Sequence, residues 1–387
     1  MFFNQSIIQK LIKIPTPYYY YDVEVFELNI QKALNAAKRI NGKIHYALKA
    51  NNQNKLLQIL SRYNIGADCV SGGEIQRALD NGIDSKNIVF AGVGKTDEEI
   101  TLALSKKIFC LNVESVQELE VINDIAVSLN VKANIAIRVN PNVDAYTHKF
   151  ITTGLSENKF GINASDLSAV LDKLKSLKQL KLIGLHFHIG SQITDLSAFK
   201  NLCLKVNEIQ NYLENKNIEL QHLNLGGGLG INYTHPDEYL FPDFENYFKV
   251  FETFLNRKSH QEIHFELGRA LVAQCGALIS KVLFTKKSGR KNFLILDSGM
   301  NHLLRPALYE AYHKIENISK YYEPANVLYD VCGPICETTD YFGKNVLLPN
   351  TYRGDIIAIR SAGAYGEVMA SNYNLKGYPS VYFSDEI

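Results

Sequence analysis

The sequence predicts an α/β protein, a closed (β/α)8 barrel joined to a second, mostly β-stranded domain. Three observations carry that prediction. Short apolar runs near 44–48, 67–70, 87–91, 108–112, 132–139, 182–188, 222–225 and 263–266 alternate with helical patterns. No Gly-x-Gly-x-x-Gly follows the first run, which argues against an open dinucleotide-binding sheet. After Arg269 the alternation stops, and strand-like runs punctuated by Gly, Pro and Asn take over.

In chain order, residues 1–22 hold a short amphipathic piece (Ile7, Ile8, Leu11, Ile12), a Pro15-Thr16-Pro17 break and a strand over Tyr18 to Tyr21. Asp22 can cap the next helix, whose apolar positions Phe26, Ile30, Ala33 and Leu34 fit helical spacing. Ile44, Tyr46 and Leu48 alternate along the first barrel strand, and Lys49 stands at its end. Helical patterns at 54–63, 73–81, 96–106, 114–129, 165–179, 196–215 and 243–257 separate most of the later strands. Beyond the barrel, 277–284, 293–296, 327–331 and 355–360 read as strands. We expect the barrel over 23–268. We expect the β domain over 269–387 together with 1–22, because the N-terminal strand precedes the first barrel helix.

Composition sets further bounds. The 387 residues are 46% hydrophobic, enough for a large core, and 41 basic residues nearly cancel 40 acidic ones. That balance points away from nucleic acid and acidic membrane as partners. Six scattered cysteines at 69, 110, 203, 275, 332 and 336 form no C-x-x-C pair, which suggests free thiols in a reducing compartment. The first 21 residues lack a long apolar run and a small-residue cleavage site, so no leader or membrane span is expected and the cytoplasm is the expected location.

Barrel enzymes build their sites at the carboxyl ends of the strands. The residues found there are Lys49, then Ser71-Gly72-Gly73-Glu74, His186-Phe187-His188-Ile189-Gly190-Ser191-Gln192, Gly226-Gly227-Gly228-Leu229-Gly230, and Glu266-Leu267-Gly268-Arg269. Burial of an amine disfavours its charged form and makes it a nucleophile for Schiff-base chemistry. A solvated strand cap is the plain alternative for Lys49. The glycine run around Gly227 and Gly228 offers backbone N–H groups to a phosphate, and barrels commonly hold phosphate after strands seven and eight. Ser191 adds a hydroxyl donor. His188 can stack on a flat cofactor or move a proton. His186, two residues earlier, shares its face, and one of the two is then structural. Glu266 can keep a ring nitrogen protonated, and Arg269 can bind phosphate or a carboxylate; an ordinary ion pair is the alternative for both. An amine, a phosphate cradle, a stacking ring and a carboxylate together suit pyridoxal 5'-phosphate.

A longer set of motifs runs nearly end to end. It includes Tyr46-Ala47-Leu48-Lys49-Ala50-Asn51, Ser71-Gly72-Gly73-Glu74, Asn140-Pro141-Asn142-Val143-Asp144 with Thr147-His148, and Thr153-Gly154 with Asn158-Lys159-Phe160-Gly161. It continues with His188-Ile189-Gly190-Ser191-Gln192, Gly226 to Gly230, Asp297-Ser298-Gly299-Met300, Arg305-Pro306-Ala307-Leu308-Tyr309, Gly333-Pro334-Ile335-Cys336-Glu337 and Gly363-Ala364-Tyr365. In these motifs the sequence resembles the barrel-type pyridoxal-phosphate-dependent decarboxylases, and among them the branch acting on diaminopimelate. One departure stands out: Leu267 takes the place of the family's proline between Glu266 and Gly268. It restores a backbone donor and frees φ.

The resemblance implies a set of roles. Lys49 carries the cofactor as a Schiff base, Glu266 keeps its pyridine nitrogen protonated, and His188 stacks on the ring. Ser191, Gly227, Gly228 and the backbone at Gly268 and Arg269 hold the phosphate, with Tyr365 near cofactor and substrate. Cys336 is the proton donor to the α-carbon; an unperturbed thiol, with a pKa of about 8.5, is mostly protonated at neutral pH. A buried structural cysteine is the plain alternative for Cys336. At the far end of the substrate, Arg269 and Arg305 bind a carboxylate, Glu337 an ammonium, and Tyr309 adds a hydroxyl. Relatives acting on ornithine or arginine typically have Asp after the Cys, where this chain has Glu337. The expected reaction is meso-2,6-diaminopimelate to L-lysine and CO₂, the last step of lysine biosynthesis, in a homodimer whose Cys-Glu segment completes the partner's site. No metal is expected. A decarboxylase for carboxynorspermidine or ornithine, and a catalytically inactive regulatory homologue, stay open as alternatives.

Overall fold

The computed structural model describes residues 2–143 and 159–387. Asp144, Thr147, His148, Thr153, Gly154 and Asn158 of the motifs above lie outside the described residues. The chain divides into two compact units. One comprises Met1–Asn29, Ile231–Pro242 and Arg269–Ile387, the other Ile30–Gly230 and Asp243–Gly268. Set against a division at 22/23 and 268/269, the first unit also takes in 23–29 and 231–242.

The second unit is the barrel. Its strands, in chain order, are Gly42–Ala47, Gly66–Cys69, Ile88–Phe90, Cys110–Val113, Ala133–Asn140, Leu180–His186, His222–Asn224 and Glu262–Leu267. Each pairs in parallel with the next, and the eighth closes on the first, with Glu266 opposite His45 and Leu267 opposite Tyr46. Buried from end to end through most of their length, the strands show the continuous apolar character of a sheet covered on both faces. Intervening helices start where the sequence offers caps. Ser71 accepts from Glu74 N, Ser115 from Glu118 N, and Thr96 with Glu99 forms a reciprocal capping box. The Ser71-Gly72-Gly73-Glu74 motif is thus a helix start, and Glu74 also accepts from Val70 N at 2.7 Å.

Side chains two apart on a strand share a face. The barrel interior is therefore layered. An upper layer holds Asp68, Asn112, His186, Asn224 and Glu266, in which both asparagines and His186 bond to Glu266. Two residues earlier on their strands, His222 and His264 join His45 in a lower layer. There His45 Nε2 meets His264 Nδ1 at 2.7 Å, His222 stands edge-on to His264, and Phe109 stacks on His264. Glycines make room for this layer. A Cβ at Gly66 would fall 2.5 Å from His45 Nδ1, and one at Gly184 would fall 2.1 Å from the His222 carbonyl oxygen.

The first unit is built on a sheet in the order Ile315–Asn317, Ile356–Ile359, Gly276–Ser288, Lys291–Leu296, Val327–Cys332, Tyr341–Leu348. The N-terminal strand Tyr18–Tyr21 joins it, antiparallel to Gly276–Ser288 and parallel to Ser380–Phe383. Asp22 then caps the following helix, accepting from Val25 N at 3.0 Å. Three of these strands, Ile315–Asn317, Tyr341–Leu348 and Ser380–Phe383, were not predicted from the sequence. Tyr341–Leu348 shows why: Gly343, Lys344 and Asn345 interrupt its pattern, Asn345 adopts a positive φ of 53°, and its register with Val327–Cys332 shifts twice.

Candidate active site

The first barrel strand stops at Ala47, and Lys49 belongs to a single 3₁₀ turn over Leu48–Ala50. Burial is not what prepares its amine. The Lys49 side chain is 40% exposed, and its Nζ lies 3.3 Å from Asp68 Oδ2, a buried carboxylate of the upper layer. Burial, then the charge of Glu266, raises Asp68 to about 7 against the pull of Lys49. The amine thus sits at the rim beside an acid poised to share its proton. Gly268, at the end of the eighth strand, lets that strand approach the turn: a Cβ there would fall 3.1 Å from the Cβ atoms of both Ala47 and Ala50. Leu267 is buried and pairs in ordinary register with Tyr46, so the residue in the proline's place continues the strand.

Glu266 is fixed as an anion. Its Oε1 accepts from Asn224 Nδ2 at 2.7 Å and Asn112 Nδ2 at 3.4 Å, and its Oε2 accepts from His186 Nε2 at 3.0 Å. Burial alone would raise its pKa; His186 first, then Lys49 and His188, outweigh burial and hold the carboxyl well below its ordinary range. His186 is the structural member of the histidine pair. His188 goes the other way: burial, then the charges of Lys49 and Arg138, push its pKa well below the ordinary imidazole value. Gly227 N–H donates to His188 Nδ1 at 3.3 Å, so the neutral ring carries its proton on Nε2.

The loops after strands six and seven are zipped together. Ile193 N donates to Gly228 O and Gly230 N to Ile193 O, each at 2.9 Å, which sets the Ser191 loop beside the glycine run. The run must be glycine. A Cβ at Gly227 would fall 1.8 Å from Glu266 O, one at Gly228 would fall 2.6 Å from Gly190 O, and Gly228 has a φ of +108°. This backbone cradle, a carboxylate held ionised, a neutral imidazole and a rim amine fit pyridoxal 5'-phosphate.

The first unit supplies a second cluster. Arg269 opens the short helix Arg269–Val272, and Arg305 opens Arg305–Tyr309, with Pro306 in its first turn. Both arginines are buried, at 6% exposure each. Tyr365, in a positive-φ conformation, places its ring 5.0 Å from the Arg269 guanidinium, and Tyr309 is close enough to raise the Arg269 pKa. Cys336 and Glu337 are exposed on the connection between Val327–Cys332 and Tyr341–Leu348. Glu337 accepts from Tyr373 OH at 2.6 Å. Buried Asp340 pins this connection by accepting from Met300 N and Ile335 N, each at 2.7 Å.

Sequence reasoning thus drew Lys49, His188, Ser191, Gly227, Gly228, Glu266 and Gly268 from one barrel mouth, and Arg269, Arg305, Tyr309 and Tyr365 from the first unit. It missed Asp68, Asn112, Asn224 and Arg138. Each is a polar residue inside a short buried strand, and period two from Gly66 and His222 would have flagged Asp68 and Asn224. It also missed Tyr233 and His313, for which no sequence pattern speaks.

A parallel barrel with this mouth belongs to the class of enzymes that work through a pyridoxal cofactor. A family model described as pyridoxal-dependent decarboxylase, pyridoxal binding domain, matches residues 26–273. A diaminopimelate decarboxylase of Bacteroides thetaiotaomicron is 53% identical over 98% of this chain and 98% of its own length. One from Campylobacter jejuni is 42% identical over 93% of this chain and 89% of its own. The crystal structure of the Helicobacter pylori diaminopimelate decarboxylase complexed with L-lysine superposes with a TM-score of 0.91 at 41% identity, covering 98% of this chain and 94% of that one. The chain belongs to the pyridoxal-dependent decarboxylases, in their diaminopimelate decarboxylase branch. Among the described residues, no helix is long and apolar enough to cross a membrane.

Proposed function

We infer that this chain decarboxylates meso-2,6-diaminopimelate to L-lysine and CO₂. The observation that carries the reaction class is the barrel mouth, where the Lys49 amine lies 3.3 Å from Asp68 of the upper layer and Glu266 of the same layer is bonded by Asn112, Asn224 and His186. Bound pyridoxal 5'-phosphate supplies an electron sink for the pair left behind when CO₂ departs. Lys49 would provide the amine that anchors it, and Asp68, 3.3 Å from that amine, would take up its proton. Glu266, bonded on both oxygens, would keep the cofactor's pyridine nitrogen protonated. His188 offers a neutral ring face, because burial, and then the charges of Lys49 and Arg138, destabilise an imidazolium there. Ser191, Gly227, Gly228 and the backbone at Gly268 and Arg269 hold the phosphate.

In this reading Arg269 and Arg305 hold the carboxylate that is retained, Tyr309 and Tyr365 line the substrate, Glu337 takes the distal ammonium, and Cys336 delivers a proton to the carbon that lost CO₂. Residues 23–268 serve as the cofactor-binding barrel and 1–22 with 269–387 as the β domain. The exposure of Cys336 and Glu337 supports a homodimer in which each subunit lends these two residues to its partner. Six free cysteines support a reducing, cytoplasmic setting. The deciding assay is L-lysine and CO₂ release from meso-diaminopimelate with added cofactor, against ornithine and carboxynorspermidine. Turnover of either alternative in preference to diaminopimelate overturns the substrate. Mixing Lys49→Ala with Cys336→Ala chains restores activity if sites are shared; no recovery after confirmed subunit exchange overturns the sharing.

A further inference from the structure

We propose that Tyr233 and His313 are positioning residues that shape Arg269 and Arg305 into a two-cation receptor for the substrate's retained carboxylate. The proposal rests on the diaminopimelate reading and names residues that reading does not contain. Tyr233 faces both guanidiniums. Its hydroxyl accepts from Arg269 Nη1 at 2.6 Å, while its ring lies 4.9 Å from the Arg305 guanidinium carbon and 5.9 Å from that of Arg269. His313 holds the other arginine. Its Nε2 is 2.7 Å from Arg305 Nη1, and its Nδ1 is 2.8 Å from the Arg360 carbonyl oxygen. A guanidinium only donates and a carbonyl only accepts. One tautomer satisfies both contacts: a neutral ring with its proton on Nδ1 and its lone pair facing Arg305. Burial, then the charge of Arg305, keeps the His313 pKa down at about 3, so the ring stays neutral at working pH.

The neutrality of these partners is the point. Among the described residues no carboxylate reaches ion-pair distance of Arg305, although it is only 6% exposed. A carboxylate partner would fix the arginine equally well and cancel its charge. An imidazole lone pair, a phenol and ring faces fix it and leave the charge for an arriving anion. Two like charges buried in one cluster repel, which favours an anionic occupant further. The scaffold supports both positioners through one residue. Arg360 Nη2 lies 3.0 Å from Asp237 Oδ1, which anchors the 231–242 segment carrying Tyr233, and Arg360 Nη1 lies 2.7 Å from Glu316 Oε2. The Arg360 carbonyl meanwhile selects the His313 tautomer.

The test uses holoenzyme and two ligands that differ only in a carboxylate: L-lysine, which keeps it, and pentane-1,5-diamine, which lacks it. Their dissociation constants are measured by calorimetry, beside kcat and KM for meso-diaminopimelate. His313→Gln keeps a neutral acceptor, and its lysine affinity and KM stay within about threefold of wild type. His313→Glu holds Arg305 but neutralises it; KM and the lysine dissociation constant rise about tenfold or more, kcat changes little, and diamine binding stays put. Tyr233→Phe, which keeps the ring, gives the same pattern at about threefold to tenfold. If His313→Glu binds lysine as His313→Gln does, or if lysine and diamine affinities fall together, the proposal is overturned. A wild type that makes no lysine from meso-diaminopimelate sinks the substrate reading instead.

Discussion

His264 and Glu266 lie two residues apart on the last barrel strand, as His222 and Asn224 do on the strand before it, yet the layers they build differ in charge. In the lower layer, imidazoles face imidazoles and Phe109, and the carboxylate beside them, Glu262 at 3.3 Å from His264 Nε2, is half exposed. Burial, then His264, drives the His45 pKa down to about 3, and burial likewise depresses His222 and His264. Among the described residues, neither ring nitrogen of His222 has a hydrogen-bond partner. In the upper layer, His186 faces a carboxylate and donates to it. An imidazole's proton is decided by its neighbour, and burial among its own kind expels it. Burial thereby disfavours charge on all three lower-layer rings, even with Glu262 beside His264.

Four changes break or sharpen this contrast. Lys49→Ala removes the amine at the mouth; lysine formation falls below detection while circular dichroism and thermal midpoint stay near wild type, since the side chain is 40% exposed. A folded variant that still turns over would remove Lys49 from the site. Glu266→Gln keeps the shape and deletes the charge, and kcat drops roughly a hundredfold. A rate within a few-fold of wild type would mean the upper layer does not carry the charge assigned to it. Gly184→Ala tests the lower layer, where the new Cβ would sit 2.1 Å from a backbone oxygen. Denaturant titration should show a loss of about 1–3 kcal/mol, with the rate of the folded enzyme nearly unchanged.

The smallest effect concerns pH. A buried histidine with a depressed folded-state pKa binds its proton in the unfolded state first. The stability tied to His45 is therefore complete above about 6.5 and is lost progressively as pH falls toward about 3. His45 contributes a slope of about 1.4 kcal/mol per pH unit in that window, and His222, also depressed by burial, adds to it below about 6.5. His222→Phe deletes one of them, so unfolding free energies measured between pH 7 and pH 5 should fall less steeply than in wild type. At pH 7 the two proteins should differ by only about 1 kcal/mol. An unchanged slope would show that His222 is already protonated in the folded chain.

The strand–helix alternation, the rim position of Lys49, the glycine run and Glu266 were legible because each depends on local pattern: period two, period 3.6, and the residue types gathered at the carboxyl end of a strand. The N-terminal strand's place in the β sheet was legible too. Asp68, Asn112 and Asn224 were hidden because an apolar-run reading discounts single polar residues, although in a strand buried on both faces such a residue must point at a partner. Lys49 was expected to be tuned by burial; its exposure beside Asp68 could not be seen, since that pairing is set by the register of two strands. Tyr233 and His313 escaped because Tyr233 lies on a loop outside any periodic element and His313 just beside a three-residue strand. What gives them meaning is the distant Arg360.

The strand Tyr18–Tyr21, whose four rings are fully buried, is flanked by Gly276–Ile279 on one side and by Ser380–Phe383 on the other. On the ribosome these tyrosines emerge long before Ser380–Phe383 does. A nascent chain therefore carries an aromatic strand with no partner until Gly276–Ile279 is made, and with one open edge until Ser380–Phe383 follows. Newly made protein keeps an open edge there until Ser380–Phe383 has been read, and deleting that segment strips one neighbour from Tyr18–Tyr21.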